Sequence, residues 1–594
     1  MTYQFINFTK ESKKLNYLKS RFTDIDENMP LAEYPRPQLE RDSYICLNGK
    51  WLYSICSSES EPSVFDGTIT VPFSPETPLS GVMKTLSPDN YLWYKRSFTL
   101  PASFMNDRLV IHFGAVDRHA AVFVNGKLAV THSGGYTPFS ADITELVDPD
   151  KENILTVRVR DESDHVDNGG KGKQKTDRGG IWYTSQSGIW QTVWLESLPD
   201  NYISSIRVTP DVDNSKINIF VESPKKSICT LDLGGKTYGL ASNGSISITV
   251  KDPILWTPEN PHLYYFTVKM GNDLVKSYFA MRKMSLETDK FGKPQLFLNG
   301  EPYCQFGLLD QGYHCGGYYT PPSDEAMVYD IALAKTLGFN MLRKHIKVEP
   351  LRWYYHCDRL GMLVWQDMVN GGGAYKFSTI SLPLFFGSLK SDSSYAKFSR
   401  TSKVGRDAFV AEMEETVKTL YSCPSVVVWT LFNEGWGQFD SEKLTSYLRT
   451  LDPSRPIDSA SGWHDLGFGD ITSKHVYFKK YKVGRIKNRR APALSEFGGY
   501  SLHVEGHTFN DKKFGYKTCN TREELTAEMS KLFNEVFDIG EKNGVCAYVY
   551  TQLSDVEDEI NGIVTYDREV VKPDIRRISS LIKARISAYN KKFR

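Results

Sequence analysis

The chain has 594 residues, 40% of them hydrophobic and 24% charged, and its net charge is +1. That length exceeds what one hydrophobic core supports, so two to four domains of an ordinary globular protein are expected. The near-zero charge gives no global pull toward nucleic acid or an anionic membrane, and no stretch approaches the ~18 apolar residues of a membrane-spanning helix.

The first 40 residues are polar, end in "AEYPRPQLERDSY" and read as an extended arm. Their beginning, "MTYQFINFTKESKKLNYLK", lacks the apolar centre of a secretory signal. The nine cysteines are scattered, odd in number and form no C-x-x-C pair, which predicts reduced thiols in a cytoplasmic protein. Residues 41–198 carry short alternating runs such as "RLVIHFGAVDRHAAVFVNGKLAV", with a hairpin signal at Asn125-Gly126, and predict a jelly-roll β-sandwich. Residues 199–285 are a second β-rich stretch of the size of an immunoglobulin-like sandwich.

From residue 286 to 594 the texture changes. The apolar runs "CQFGLLD", "GFNMLRKH", "MLVWQDM", "VVVWTLFNE", "RPIDSAS", "SKHVYF", "PALSEFGG" and "CAYVYTQL" alternate with helical segments, one of them opening at Ser323-Asp324-Glu325. Eight such units predict a (β/α)8 TIM barrel, whose active site lies at the C-terminal strand ends.

"VVVWTLFNEGWG" then has a reading. A strand buried on both faces is continuously apolar, and the residue past its end is delivered to the barrel mouth. Glu434 is placed in that way, and so is Glu496 by "PALSEFGG" three strands later. Two carboxyls about 5–5.5 Å apart suit retaining glycoside hydrolysis, and about 6.5–9.5 Å suits inversion. Structural carboxylates capping barrel helices are the competing explanation; Trp436 beside Glu434 and the matching Glu496 weigh against it.

The chain resembles glycoside hydrolase family 2, which includes β-galactosidases, β-glucuronidases and β-mannosidases. The resemblance runs through "LNGKW", "WYKRSF" and "SGIWQTVWLE" in the first sandwich and "LWTPENPHLYYFTV" in the second. In the barrel it rests on "FLNGEPYCQFGLLDQG", "LGFNMLRKH", "CPSVVVWTLFNEGWG" and "LSEFGGY". It implies double displacement with Glu496 as nucleophile and Glu434 as acid, then base. It also implies that Asn433 binds the sugar 2-hydroxyl, that Arg343 holds the nucleophile ionised, and that Tyr477 donates to it. Turn capping by Asn433, a rim salt bridge at Arg343 and core packing of Tyr477 stay open. Asp310, Asp367 and His475, at or near strand ends, and Trp463 and Trp436 are further sugar-facing candidates. His345 departs from the family pattern, which places a histidine three residues after the arginine, where Ile346 stands; sugar contact and core packing are both open for it.

Two absences bear on the substrate. The Asn-x-Lys-Gly element of family glucuronidases is replaced by "VEDEINGIVTYDRE", whose acids argue against a uronic acid. The Glu-x-His element of magnesium-dependent β-galactosidases is replaced by "MVNGGGAYKF". No metal and no cofactor are therefore expected. The stretch Lys479–Arg490 has seven basic residues in twelve; it either draws in an anionic glycan or is a solvated loop. The stretch Gly371–Gly405 is too long for an idle connection and is expected over the active site. The expectation is a retaining exo-β-glycosidase of β-galactosidase type on a carbohydrate substrate, without nucleic-acid or membrane partners, its oligomeric state left open. The alternatives are a related glycosidase for a β-mannoside, a β-glucuronide or another anionic glycan, and a non-catalytic carbohydrate-binding protein.

Overall fold

The computed structural model describes residues 18–594 apart from 168, 387–388, 484–488 and 513. The first 17 residues of the expected arm and the middle of the basic stretch Lys479–Arg490 lie outside the described residues.

The first sandwich pairs a six-stranded with a four-stranded antiparallel sheet. Alternation builds it: along Gly49–Cys56, Trp51 and Tyr53 are buried while Leu52 is exposed. Trp51 and Tyr53 share one core with Ile111, Phe113 and Leu195 of the smaller sheet. The expected hairpin is present: Asn125 and Gly126 take φ of 50° and 78° between His119–Val124 and Lys127–Ser133. A second sandwich of three and four strands closes over Ile217, Ile219, Leu231 and Val268.

The barrel has eight parallel strands: β1 (Gln305–Asp310), β2 (Met341–Lys344), β3 (Leu363–Asp367), β4 (Val426–Thr430), β5 (Ile457–Asp458), β6 (Ile471–Val476), β7 (Ala491–Gly498) and β8 (Ala547–Thr551). Their order is β5-β4-β3-β2-β1-β8-β7-β6, and β5 meets β6 through the bridge Asp458–Gly469 and the bond from Asp470 N to Ile457 O at 2.8 Å. β1, β2, β3, β4 and β7 are buried at every residue, as their continuous apolar runs require. Ser323 caps the first barrel helix, α1 (Asp324–Thr336), by accepting from Ala326 N at 3.3 Å. The helix α2 (Leu351–Leu360) ends at Gly361, with φ of 75°; the longer helices α3 (Lys403–Leu420) and α4 (Ser441–Leu451) lie between β3 and β4 and between β4 and β5, α3 after two short helical turns at Phe377–Ile380 and Leu382–Phe386. The helices α5 (Arg522–Asn543) and α6 (Ile575–Phe593) flank β8. Among the described residues no helix lies between β5 and β6 or between β6 and β7. There the Gly- and Asp-rich "SGWHDLGFGD" runs instead as an irregular loop.

Buried arginines join the domains. Arg41 pairs with Asp273 at 2.8 Å, and Arg282 donates to Pro424 O and Val426 O at 3.0 and 2.9 Å. A loop of the first sandwich also reaches the barrel mouth: Lys171 N and Gly172 N both donate to Asn370 O at 3.0 Å. Gly371 permits this approach, since a Cβ there would lie 1.9 Å from Gly169 O.

Candidate active site

Asn433 and Glu434 follow the end of β4 by three and four residues. Glu434 adopts φ of 51°, and its N–H donates to Ser461 O at 2.9 Å while Trp436 N–H turns back to Asn433 O at 2.8 Å. Left-handed backbone at a non-glycine residue is strained, and here it sits at the mouth. On β7 a register shift falls between Leu494 and Phe497, so Lys474 is opposite Leu494 and His475 opposite Glu496. The extra residue re-aims the strand end, and Glu496 faces Glu434. One ligand atom from each of Glu434, His475 and Glu496 can be chosen so that all three lie within 4.8 Å of one another. The Glu434 side chain is 12% exposed and that of Glu496 5%.

Arg343, at the end of β2, organises the floor. Its guanidinium donates to both Asp367 oxygens at 3.0 and 2.9 Å, to Asn433 Oδ1 at 2.8 Å and to Glu496 Oε1 at 3.1 Å. Asn433 N–H donates to Asn370 Oδ1 at 2.6 Å, whereas its buried Nδ2 has no hydrogen-bond partner. Tyr477 O–H donates to Glu496 Oε2, and its ring stacks on Tyr516 at 3.8 Å. His475 Nδ1 lies 2.7 Å from Glu434 Oε1 and 3.5 Å from Glu496 Oε2.

His345 is buried beside this group, its Nε2 3.8 Å from Glu496 Oε1 and its ring 5.7 Å from Trp436. Ile346, where the family pattern puts histidine, takes φ of 43°, a conformation a β-branched residue adopts only under constraint. Trp463 stands edge-on to His475 at 5.6 Å, with a buried, unpartnered indole nitrogen.

Two candidates are corrected. Asp367 is 1% exposed and engaged by Arg343, so it orients the guanidinium instead of meeting a ligand. Asp310 belongs to a separate buried charge cluster: Lys344 bridges it and Glu349, each at 2.7 Å, and Lys347 reaches Glu349 at 2.8 Å. A strand-end position alone does not separate a sugar-facing carboxylate from one committed to a neighbouring cation.

The sequence reading missed the contribution of the first sandwich. Its loop "KGKQKTDRGGIWY" sends Lys173 in, to 3.4 Å from Tyr183 Oη and 3.9 Å from Glu559 Oε2. Trp182 packs on Trp436 at 5.1 Å and stacks on Tyr375 at 5.6 Å, giving an aromatic wall beside Glu434. The alternating Lys-Gly-Lys-Gln-Lys between glycine pairs is the signal that was available. Tyr375 comes from the stretch Gly371–Gly405, which also ties to the sandwich through Arg400 and Asp167 at 2.6 Å. In the basic stretch, Lys480 pairs with Glu535 at 3.3 Å, and Arg490, which is buried, with Asp465 at 2.9 Å.

Burial pushes the Glu434 carboxyl up to about 8, against the pull of Lys173 and Arg343 and with Glu559 adding to the rise. Burial drives His475 down to about 3, although Glu496 favours its charged form. Burial also raises Glu496 above the ordinary carboxylate range; His475, Arg343 and the Tyr477 hydrogen bond oppose that rise, and Glu434 adds to it. Burial thus favours the proton on Glu434 at neutral pH, while Arg343, His475 and the Tyr477 hydrogen bond favour the ionised form of Glu496, a division that suits acid and nucleophile in glycoside hydrolysis. The trio is a poor seat for a divalent ion, because the Arg343 cation already lies 3.1 Å from Glu496 and Glu434 retains its proton.

Three family models match in sequence order. Residues 68–199 match "Glycosyl hydrolases family 2, sugar binding domain", 214–282 "Glycosyl hydrolases family 2", and 322–497 "Glycosyl hydrolases family 2, TIM barrel domain". The chain belongs to glycoside hydrolase family 2. Among its relatives, a Beta-galactosidase of Thermoanaerobacter pseudethanolicus is 27% identical over 46% of this chain and 39% of its own length. A Beta-glucuronidase of Sus scrofa is 26% identical over 66% of this chain and 63% of its own. The chain thus spans less than two thirds of either curated relative. The solved beta-D-glucuronidase of Dictyoglomus thermophilum superposes with a TM-score of 0.70 at 19% identity, over 93% of this chain and 98% of that one, and shows the shared fold.

Proposed function

We propose that this family 2 protein is a retaining exo-β-glycosidase. The observation that carries the reading is the close approach of Glu434 and Glu496, within 4.8 Å, which suits attack by a carboxylate better than a gap holding a water. In the first step a Glu496 oxygen bonds to the anomeric carbon as the glycosidic bond breaks, and the Glu434 proton goes to the departing oxygen. Esterified Glu496 no longer carries charge, and the absence of a neighbouring negative charge favours the ionised form of Glu434. It then takes a proton from water, whose oxygen displaces Glu496 with net retention. Asn433 Nδ2, unpartnered and buried, is the donor left for the sugar 2-hydroxyl.

For the sugar we favour a β-glucuronide over the β-galactoside expected from the sequence. The names of relatives support this: the pig protein and the Dictyoglomus structure are β-glucuronidases. The acids of "VEDEIN" are also less repellent than they look. Asp558 and Glu557 lie 2.9 and 3.5 Å from Arg178, and Glu559 accepts from Tyr183 and lies near Lys173. A β-galactoside is the second reading, supported by the Thermoanaerobacter relative. A panel of aryl β-glycosides tests both. Turnover of one member, abolished in Glu496→Gln, is expected. Glu434→Ala should lower kcat/KM, which reports the first step, at least about 100-fold on a poor leaving group and little on a dinitrophenyl glycoside, which departs without a proton. Equal losses on both would sink the assignment of roles.

A further inference from the structure

His475 is not called on by the two-step chemistry, yet its fully enclosed ring touches Glu434. Its hydrogen bonds decide which atom holds the shared proton. Ser461 O–H donates to Ser495 Oγ at 2.8 Å, and Ser495 O–H points to Lys474 O at 3.4 Å. A hydroxyl has one proton to give. Ser461 has given its own away, so the 2.9 Å contact between Ser461 Oγ and His475 Nε2 requires the imidazole to donate. The contact of Nε2 with Arg343 is long, at 3.5 Å, and does not compete. A neutral ring with its proton on Nε2 has a bare lone pair on Nδ1. The 2.7 Å contact there is then a hydrogen bond donated by Glu434 Oε1.

We propose that His475, held in one tautomer by Ser461 and Ser495, is the positioning residue that keeps Glu434 loaded with its proton. The inference rests on the glycosidase reading and deepens it. A bare Nδ1 rewards the neutral carboxylic acid and repels the carboxylate, so it adds to the effect of burial. It also fixes the carboxyl plane: Oε1 is committed to His475, and Oε2 is the oxygen left for a departing group. The other charged and titratable groups around Glu434 are Lys173 from the first sandwich, Arg343 of β2, Glu496 of β7, Glu559 after β8, and the phenols of Tyr477 and Tyr516. His475 also faces His345. None of these replaces an acceptor at 2.7 Å.

Ser461→Ala is the informative variant, because it removes the acceptor of the Nε2 proton and leaves the ring in place. The imidazole is then free to carry its proton on Nδ1, donate to Glu434 and favour the carboxylate. The alkaline limb of kcat/KM on a glycoside with a poor leaving group is expected to move down by about one pH unit or more. A dinitrophenyl glycoside, which needs no acid in that step, should show no such displacement. An unmoved limb on the poor substrate would overturn the proposal, as would equal shifts on both. A second readout does not depend on turnover. In 15N-histidine-labelled full-length protein, the His475 signal, assigned by its loss in His475→Gln, should show an Nε2-protonated ring in the native chain and a shift toward the Nδ1 form in Ser461→Ala. An Nδ1-protonated ring in the native chain overturns the proposal whatever the substrate; failure of the whole glycoside panel overturns the glycosidase reading alone.

Discussion

A carboxyl raised to about 8 is a protonated acid at neutral pH, and this single shift has two consequences of the same sign. The first-step acid works only while Glu434 holds its proton, so kcat/KM on unactivated glycosides is expected to fall as pH rises through about 8. The acidic limb belongs to Glu496, which must be ionised, and should lie above the ordinary carboxylate range. A pH–rate profile that stays flat to pH 10 on a poor leaving group would remove Glu434 as the acid. The same group makes folding pH-dependent: its folded pKa exceeds the unfolded 4.5, so stability present below that value is lost as pH climbs through about 8. The placement of Glu434 and Glu496 at the mouth was legible in the sequence because each comes late in or just past an apolar strand run, whereas Arg343 and Tyr477 were singled out only through the family resemblance. The bond of His475 to Glu434 was not legible, because it depends on how β6 is set against β4, two strands apart in the sequence order.

At the level of elements, the eight strands were legible for a physical reason. Burial on both faces forces continuous apolar runs such as Val426–Thr430, and no periodicity has to be guessed. The bulge at Ser495 was not, since Pro492 stands three residues before it and the glycines of "PALSEFGG" follow it, so nothing at Ser495 itself marks an extra residue; only pairing with β6 and β8 reveals it. The glycines after β3 and β4 belong to the same class. A Cβ on Gly371 would lie 1.9 Å from Gly169 O, and one on Gly437 1.6 Å from Gly371 O, both backbone atoms that cannot rotate away. These residues stack the sandwich loop on the loop after β3, and that loop on the turn after Glu434. Gly371→Ala is expected to force the layers apart at a cost of about 1–3 kcal/mol or more, with loss of activity beyond the loss of stability. Chemical denaturation alongside kinetics on the folded fraction measures both. A variant with native stability and native turnover would show that the layers have slack the packing does not display.

At the scale of the molecule, the site is shared between domains. The barrel supplies the facing carboxyls, while the first sandwich supplies Lys173, the largest charged influence lowering the pKa of Glu434. Burial alone would leave Glu434 higher still, slower to give up its proton in the first step; the lysine offsets part of that rise. Removing the charge while keeping the bulk, in Lys173→Met, is therefore expected to move the alkaline limb up by about half to one unit, opposite to the shift in Ser461→Ala. The buried ammonium also bears on the substrate. It sits 3.9 Å from Glu559 and 3.4 Å from Tyr183 Oη, so its hydrogen-bonding capacity is not exhausted by the protein. If a uronate carboxylate completes that shell, Lys173→Met should lower kcat/KM for a β-glucuronide at least about tenfold more than for the matching β-galactoside, the cost of leaving one buried charge unpaired. If a neutral sugar hydroxyl does so instead, both glycosides should suffer alike while the upward shift of the limb remains. A limb that does not move would mean that the sandwich shapes the mouth without tuning its acid, and that the electrostatics of the pair are a property of the barrel alone.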